Sequence, residues 1–241
     1  MPIDILLTVV VTATIQSIFG VGVLLFGTPL LLLLGYDFIN TLIILLPISI
    51  SINAFQIVKH FEHIDRRFYQ NILSLTVPCI VLFLVLVTST KINIGVVIGL
   101  FLILVALKNY SREIERFLEA MVMKHEKPYF VAMGVIHGLT NLGGSLLTAI
   151  VHEKNYDKDI SRVTIAASYA TFAVFQVLTL LFTVDSFNVT WGENISYLVI
   201  GVMVFVLTEE MVYAHLDNEQ YAKIFAVFLF ASGTLLVGKS F

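Results

Sequence analysis

The stretch GVIHGLTNLGGSLLTAIV, from Gly134 to Val151, decides the fold class of this chain. Two apolar runs, 128–139 and 143–151, flank a break around Asn141. As helices they would measure about 18 and about 14 Å, each about half of a bilayer core, because an α-helix rises about 1.5 Å per residue. Backbone can break at that depth only where protein or a water-filled cavity covers it. The stretch therefore predicts a re-entrant helical hairpin.

The rest of the chain is equally apolar. A first interrupted segment has the runs 3–19 and 23–34 on either side of GVG at Gly20 to Gly22. Six further runs are long enough to span a membrane, or nearly so: 38–58, 72–87, 92–107, 160–184, 195–207 and 221–237. Of the 241 residues 58% are hydrophobic and 13% charged. Soluble domains are about 25% charged, so this composition predicts an all-α polytopic membrane protein.

Composition also excludes several functional classes. A net charge of −3 offers no basic surface for nucleic acid. Cys79 is the single cysteine, which excludes an internal disulfide. His152 and Glu153 lack the H-E-x-x-H spacing of a zinc helix. We therefore predict no metal, no cofactor and no nucleic-acid partner, while the oligomeric state stays open.

The charges of the loops predict the orientation of the chain. If both interrupted segments are re-entrant, the 14 Lys and Arg residues divide 12 to 2 between the faces. The poorer face has Lys91 and Lys239, and the richer face has Lys59, Arg66, Arg67, Lys108, Arg112, Arg116, Lys124, Lys127, Lys154, Lys158, Arg162 and Lys223. Single crossings would divide them 9 to 5. The positive-inside rule favours the re-entrant arrangement, with a cytoplasmic basic face and both termini outside. Two full crossings per interrupted segment would give the same parity, but the short pieces of the second segment argue against them.

An internal similarity recurs at an offset of 120 residues, and the two glycine-rich breaks fall in register with it. The matching residues are Thr28, Tyr36, Asp37, Phe55 and Gln56 with Thr148, Tyr156, Asp157, Phe175 and Gln176. One domain, 1–241, would then contain a first repeat (about 1–108), a cytoplasmic linker (about 108–127) and a second repeat (about 128–238). Each repeat is one broken hairpin plus three transmembrane helices. Because three is odd, the pattern predicts two inverted repeats, a common plan of transporters.

Three patches of this sequence resemble the sulfite exporter TauE/SafE family. IFGVGVLLFGTPLLLLLGYD (Ile18 to Asp37) and LPISISINAFQIVKHFEHID (Leu46 to Asp65) are similar to its first half, and Gly134 to Val151 is similar to the segment that opens its second half. The resemblance implies a multi-pass carrier of sulfur-containing anions, such as sulfite or organosulfonates, in the inner membrane of a bacterium or archaeon. Members usually have a denser run of glycines after the first break, where this chain has Val23 to Phe26.

Candidate binding residues lie at the two breaks and on the spans that follow them. Transporters with inverted repeats bind near the midplane, where the N-termini of half-helices point at anionic groups. No Lys or Arg lies deep in a predicted span, so helix ends and neutral donors would hold the anion. The predicted substrate-binding residues are Gly20, Gly22, Asn53, Gln56, His137, Asn141, Gly143, Gly144, Ser145, Thr171 and Gln176. A structural reading competes, because small residues such as Gly134 and Gly138 permit close helix packing and buried amides bond between helices.

His137 is the one titratable group predicted deep in the membrane. It is a candidate for proton coupling, and a neutral, hydrogen-bonded histidine is the alternative. We predict a secondary transporter of a small anion that works by alternating access and has no catalytic residues. The alternatives are a non-transporting scaffold and an intramembrane hydrolase built on Ser145. For the hydrolase, Leu147 stands where the G-x-S-x-G elbow has its last glycine.

Overall fold

The structure is a computed structural model that describes residues 1–90, 94–108, 125–154, 156–184 and 191–212, with Phe230, Thr234, Val237 and Gly238 beyond them. Within these ranges the regular secondary structure is helical, without a strand. Four of the described helices are long and apolar enough to cross a membrane: Phe38–Val58, Arg66–Ser89, Asp159–Thr183 and Gly192–Glu209. The prediction of an all-α polytopic membrane fold is confirmed.

In chain order the helices are α1 Ile3–Phe19, α2 Val23–Leu34, α3 Phe38–His60, α4 Arg66–Asn71, α5 Val77–Ser89, α6 Ile94–Lys108, α7 Glu126–Thr140, α8 Gly144–Glu153, α9 Lys158–Thr183 and α10 Trp191–Val212. A 3-10 turn, Phe61–His63, follows α3, and a π-helical turn, Ile72–Thr76, joins α4 and α5 into one span. The predicted runs 3–19 and 23–34 coincide with α1 and α2. The run 221–237 and most of the linker 108–127 lie outside the described residues, apart from Phe230, Thr234 and Val237.

Both breaks turn the chain back along the helix that precedes them. Gly20 ends α1 and Asn141 ends α7, each in the left-handed region, with φ of 73° and 62°. Two residues later, a Cβ on Gly22 would lie 2.6 Å from the carbonyl oxygen of Thr12. A Cβ on Gly143 would lie 3.0 Å from the carbonyl oxygen of Met133. Both interrupted segments are therefore helical hairpins, closed where only glycine lets two backbones come so near.

The second hairpin packs on the π-helical turn and on α5 through small residues. Cβ atoms on Gly134 and Gly138 would overlap the carbonyl oxygens of Thr76 and Ile80. The hydroxyl of Thr76 donates to the carbonyl of Phe130 at 3.0 Å. For these two glycines the structural reading is correct, since they serve close packing of helices.

The core of the bundle has a polar interior inside an apolar shell. The side chains of Gln16, Asn53, His137, Asn141 and Gln176 are buried, with at most 3% of the surface exposed. Outward-facing positions of three of these helices are apolar, as Leu7 on α1, Val58 on α3 and Phe182 on α9 show. The expectation that polar groups within spans face protein is confirmed. The inverted orientation of the repeats stays a prediction.

Candidate functional site

The first hairpin is held by Gln16 of α1, whose amide uses both of its ends. Its Oε1 accepts from the backbone N–H of Val23 at 2.9 Å, which caps the start of α2. Its Nε2 donates to Oδ1 of Asn53 on α3 at 3.3 Å. The Asn53 Nδ2 in turn donates to the carbonyl and the hydroxyl of Ser49, at 2.8 and 3.1 Å. This network leaves neither Gln16 nor Asn53 with an unused polar atom.

The tip of the second hairpin is Asn141, the only residue other than glycine with positive φ among those described. Asparagine tolerates this conformation better than most residues because its short amide bonds locally. Its backbone N–H donates to the carbonyl of His137 at 2.8 Å. Its Nδ2 reaches α2 and donates to the hydroxyl of Thr28 at 2.9 Å. The contact joins the tip of one hairpin to the second helix of the other.

His137 stands one turn before this tip and faces α9. Its Nε2 lies 3.2 Å from Oε1 of Gln176, and its ring packs against that of Phe172 with 4.8 Å between centroids. The Nδ1 of His137, the Nε2 of Gln176 and the Oδ1 of Asn141 are buried and have no hydrogen-bond partner among the described residues. His137 and Asn141 are four residues apart at the end of α7, and Gln176 faces His137 from α9, so this part of the described core has unused hydrogen-bonding capacity.

A face of α9 covers the second hairpin. Tyr169, Phe172 and Gln176 share this face, since residues three and four apart lie on one side of a helix. A Cβ on Gly144 would overlap the hydroxyl of Tyr169, so glycine is required for the tyrosine to lie against the start of α8. The Tyr169 ring meets the His137 ring edge-on at 6.2 Å between centroids. We call His137, Asn141, Gly144, Tyr169 and Gln176 the hairpin cluster.

The other predicted site residues differ in what their side chains or backbones contact. Gly143 lies against the Cβ of His137, and the Ser145 hydroxyl donates to the carbonyl of Leu142 at 3.1 Å. Gln56 is buried on α3, and both ends of its amide have no partner among the described residues. Thr171 bonds instead to the hydroxyl of Tyr69 at 2.7 Å, at the side of α9 that faces α4. Gly20 and Gly22 shape the tip of the first hairpin.

Three residues with a part in these contacts were not among the predicted site residues: Gln16, Thr28 and Tyr169. Gln16 precedes the first break by the same four residues that separate His137 from the second, a spacing that could have identified it. Tyr169 lies seven residues before Gln176, on the same helical face. For Thr28 the sequence has no comparable signal, because its partner is 113 residues away.

At one end of the bundle, the loop before α4 is tied to α9. The hydroxyl of Tyr156 donates to the Asp65 carboxylate, and the Asp65 N–H donates to the hydroxyl of Thr164 at 3.3 Å. Burial alone would raise the pKa of Asp65, but hydrogen bonds from Tyr156 and the backbone, with the Lys154 charge, hold it below its usual value. An open depression of about 660 Å³ at this end is lined by Phe61, Glu62, Ile64, Arg66, Tyr69 and Gln70, none of them predicted site residues.

Comparison with known protein families gives a match over nearly the whole chain. The family model described as sulfite exporter TauE/SafE matches residues 5–236, which is nearly the whole chain. No curated protein and no solved structure was found to match it. Within the described ranges, no group of three or more His, Cys, Asp or Glu side chains is placed to hold a metal ion.

Proposed function

Because the chain belongs to the sulfite exporter TauE/SafE family, we propose that it is a secondary transporter of a small sulfur-containing anion, sulfite or an organosulfonate. The family consists of membrane transporters of such anions, and the helices of this chain are those of a multi-pass membrane protein. The choice among these anions and the place where they bind are parts of the proposal.

The observation that carries the proposal is the set of unused polar atoms in the hairpin cluster. A buried polar group without a partner costs about 1–3 kcal/mol, so a fold keeps several together only for a reason. The Nε2 of Gln176 is a donor. Because the His137 Nε2 donates to Oε1 of Gln176, the His137 Nδ1 is an acceptor in the neutral ring and becomes a donor when a coupled proton charges the imidazole. Rotating the Asn141 amide would let the Thr28 hydroxyl donate to Oδ1 and would present Nδ2 as a third donor. Three such donors suit an oxyanion.

The cluster also suits an anion that has to leave again. The start of α8 at Gly144 contributes the positive end of a helix dipole, worth up to about 2 kcal/mol in partly buried geometry. No Lys or Arg is among the cluster residues. A permanent cation in a medium of low dielectric would hold the anion strongly. Amide donors, with a histidine that is charged only while it carries the coupled proton, offset part of the desolvation and still let the anion leave.

Alternating access would come from one hairpin repeat rocking against the other, with the cluster at their boundary. The bond between Asn141 and Thr28, which joins the two hairpins, is the contact that such a motion would break and remake. His137 is the candidate carrier of a coupled proton, because it is the titratable group inside the cluster.

The orientation we propose follows the loop charges, with the loops around Arg66 and Lys127 in the cytoplasm and both termini outside. The membrane would be the inner membrane of a bacterium or archaeon. Labelling of single cysteines in a Cys79→Ala background tests the orientation. Reagent that labels position 127 from outside intact cells would overturn it.

Transport itself is tested with purified protein in proteoliposomes. We expect flux of sulfite or of a sulfonate that exceeds protein-free vesicles, with acetate and chloride as comparison anions. A scaffold would give no flux for any of them. Ser145→Ala separates the transporter from the hydrolase, because its hydroxyl bonds within its own turn and is one candidate donor among several. Loss of one donor should lower the flux only in part, whereas a hydrolase that uses Ser145 would lose all of its activity.

A further inference from the structure

An ion pair between Arg162 and Glu209 lies at one end of the bundle, near the start of α9 and near the end of α10. The Nη2 of Arg162 on α9 lies 2.5 Å from Oε1 of Glu209 on α10. Their side chains are only 16% and 12% exposed. Withdrawing two charges from water carries a desolvation cost that their attraction does not always repay, so a partly buried ion pair is weak evidence for a stabilising role.

The pair adjoins the tip of the first hairpin. A Cβ on Gly20 would lie 4.0 Å from Cγ of Arg162, so the tip of the first hairpin lies beside the aliphatic part of this side chain. One turn of α10 is tied to the same tip, since the hydroxyl of Thr208 donates to that of Ser17 at 2.8 Å. Arg162 is also two residues from Thr164, which bonds Asp65, so the pair sits near the end of the bundle that holds the Asp65 loop.

We propose that Arg162 is a second anion-binding site, through which the anion passes on its way to or from the hairpin cluster, with Glu209 occupying it between passages. This inference rests on the proposed function. The planar guanidinium fork matches anions with two or more oxygens on one atom, which sulfite and sulfonates have and chloride lacks. The carboxylate of Glu209 has the same two-oxygen geometry, so it competes with the anion and keeps the site from holding it too long.

Competition predicts effects of opposite sign for the two partners. In purified full-length protein, we expect Glu209→Gln to tighten sulfite binding about tenfold, because the competing charge is gone. Arg162→Gln should weaken it about tenfold, and the double variant should behave like Arg162→Gln alone. Binding is measured by calorimetry at constant ionic strength, with chloride as the anion that should show no shift. Thermal unfolding of each variant shows that it is folded.

A purely structural ion pair gives another pattern. Both single substitutions would then leave sulfite affinity unchanged or lower it together, and either result overturns the inference. Proteoliposome flux separates this from the proposed function. If the protein transports sulfite but the two substitutions do not shift sulfite affinity in opposite directions, only the Arg162 site is contradicted. If the affinities shift in opposite directions but no flux is measured, only the proposed transport is contradicted.

Discussion

In the first hairpin Gln16 bonds at both ends of its side chain, whereas in the second hairpin His137 bonds at one nitrogen and leaves the other buried and unused. The two residues are equivalent. Gln16, Gly20 and Gly22 have His137, Asn141 and Gly143 as their counterparts, each 121 residues later. In both hairpins the backbone N–H of the left-handed residue donates to the carbonyl four residues back at 2.8 Å, and the glycine two residues later lies against the preceding helix.

The backbone plan is therefore shared, and the side chains differ in how fully they are satisfied. Gln16 closes the first hairpin by capping α2 and gripping α3. The second hairpin keeps donors and acceptors in reserve beside Asn141. We infer that the first hairpin is the fixed wall of the site and the second is the part that binds.

The largest effects are expected for alanine at Gly22 and at Gly144. A Cβ at Gly22 would meet the backbone of Gln16 and Thr12, which cannot move aside, so Gly22→Ala should abolish folding. A Cβ at Gly144 would meet the Tyr169 ring, which can be truncated. Gly144→Ala should therefore destabilise the fold and stop flux. Truncation of the ring in the double variant Gly144→Ala/Tyr169→Ala should restore folded protein.

Size-exclusion chromatography, thermal unfolding and flux measure these outcomes. Gly192→Ala is the control, because a Cβ there meets no atom within 4 Å and alanine favours the helix. If Gly22→Ala folds as well as Gly192→Ala does, the first hairpin is not the rigid wall that the comparison requires.

An intermediate effect should separate the two polar networks. Asn141→Gly keeps the left-handed backbone and removes the amide, so we expect about tenfold weaker sulfite binding. Loss of the bond to Thr28 lowers stability and removal of the unpaired Oδ1 raises it, so the free energy of unfolding should change little. Asn53→Ala leaves the Gln16 Nε2 without its acceptor and should cost about 1–3 kcal/mol of stability. Calorimetry and chemical unfolding measure the two quantities. Unchanged sulfite affinity in folded Asn141→Gly would place the binding site elsewhere.

A smaller effect is expected when His137 of the second hairpin is replaced by glutamine, the residue at the equivalent position, Gln16, in the first hairpin. His137→Gln removes the titratable group and keeps a side chain that can bond to Gln176. Sulfite should still bind within a few-fold of the wild-type affinity, but flux should lose its dependence on pH if His137 carries the proton. Flux in vesicles clamped at several pH values measures this. A pH profile identical to that of the wild type would assign the proton to another group.

The smallest effect concerns the carboxylates that accept hydrogen bonds from the tyrosines before α3 and α9. Tyr36 donates to Asp4 at 2.9 Å, and Tyr156 donates to Asp65. Because the folded pKa of Asp65 lies below its usual 3.8, this carboxylate stabilises the fold above that pH and loses the contribution as pH falls further. Asp65→Asn should flatten the fall of the unfolding temperature in acid. Equal acid sensitivity in Asp65→Asn and wild type would contradict this.

Local composition was enough to predict the helices and their breaks. The predicted runs 3–19 and 23–34 match α1 and α2 to the residue, because apolar length and a glycine break are properties of neighbouring residues. The similarity between the halves was also visible, but at an offset of 120. The structure has 121 at the breaks and 120 at Asp37 and Asp157, because α8 and its following loop are one residue shorter in total than α2 and its loop.

By itself, then, the sequence determined the membrane class, the positions of the breaks and the set of polar side chains that must lie inside. Only the tertiary structure decided which of these side chains meet. Gln16 finds Asn53, His137 finds Gln176, and Asn141 finds Thr28. Arg162 was counted with the loop charges, yet it lies within α9 against Glu209. The physical reason is that the hydropathy of a segment indicates whether it lies in lipid or in water. A hydrogen bond requires a distance and an angle, and these are set by the packing of helices that are remote in the sequence.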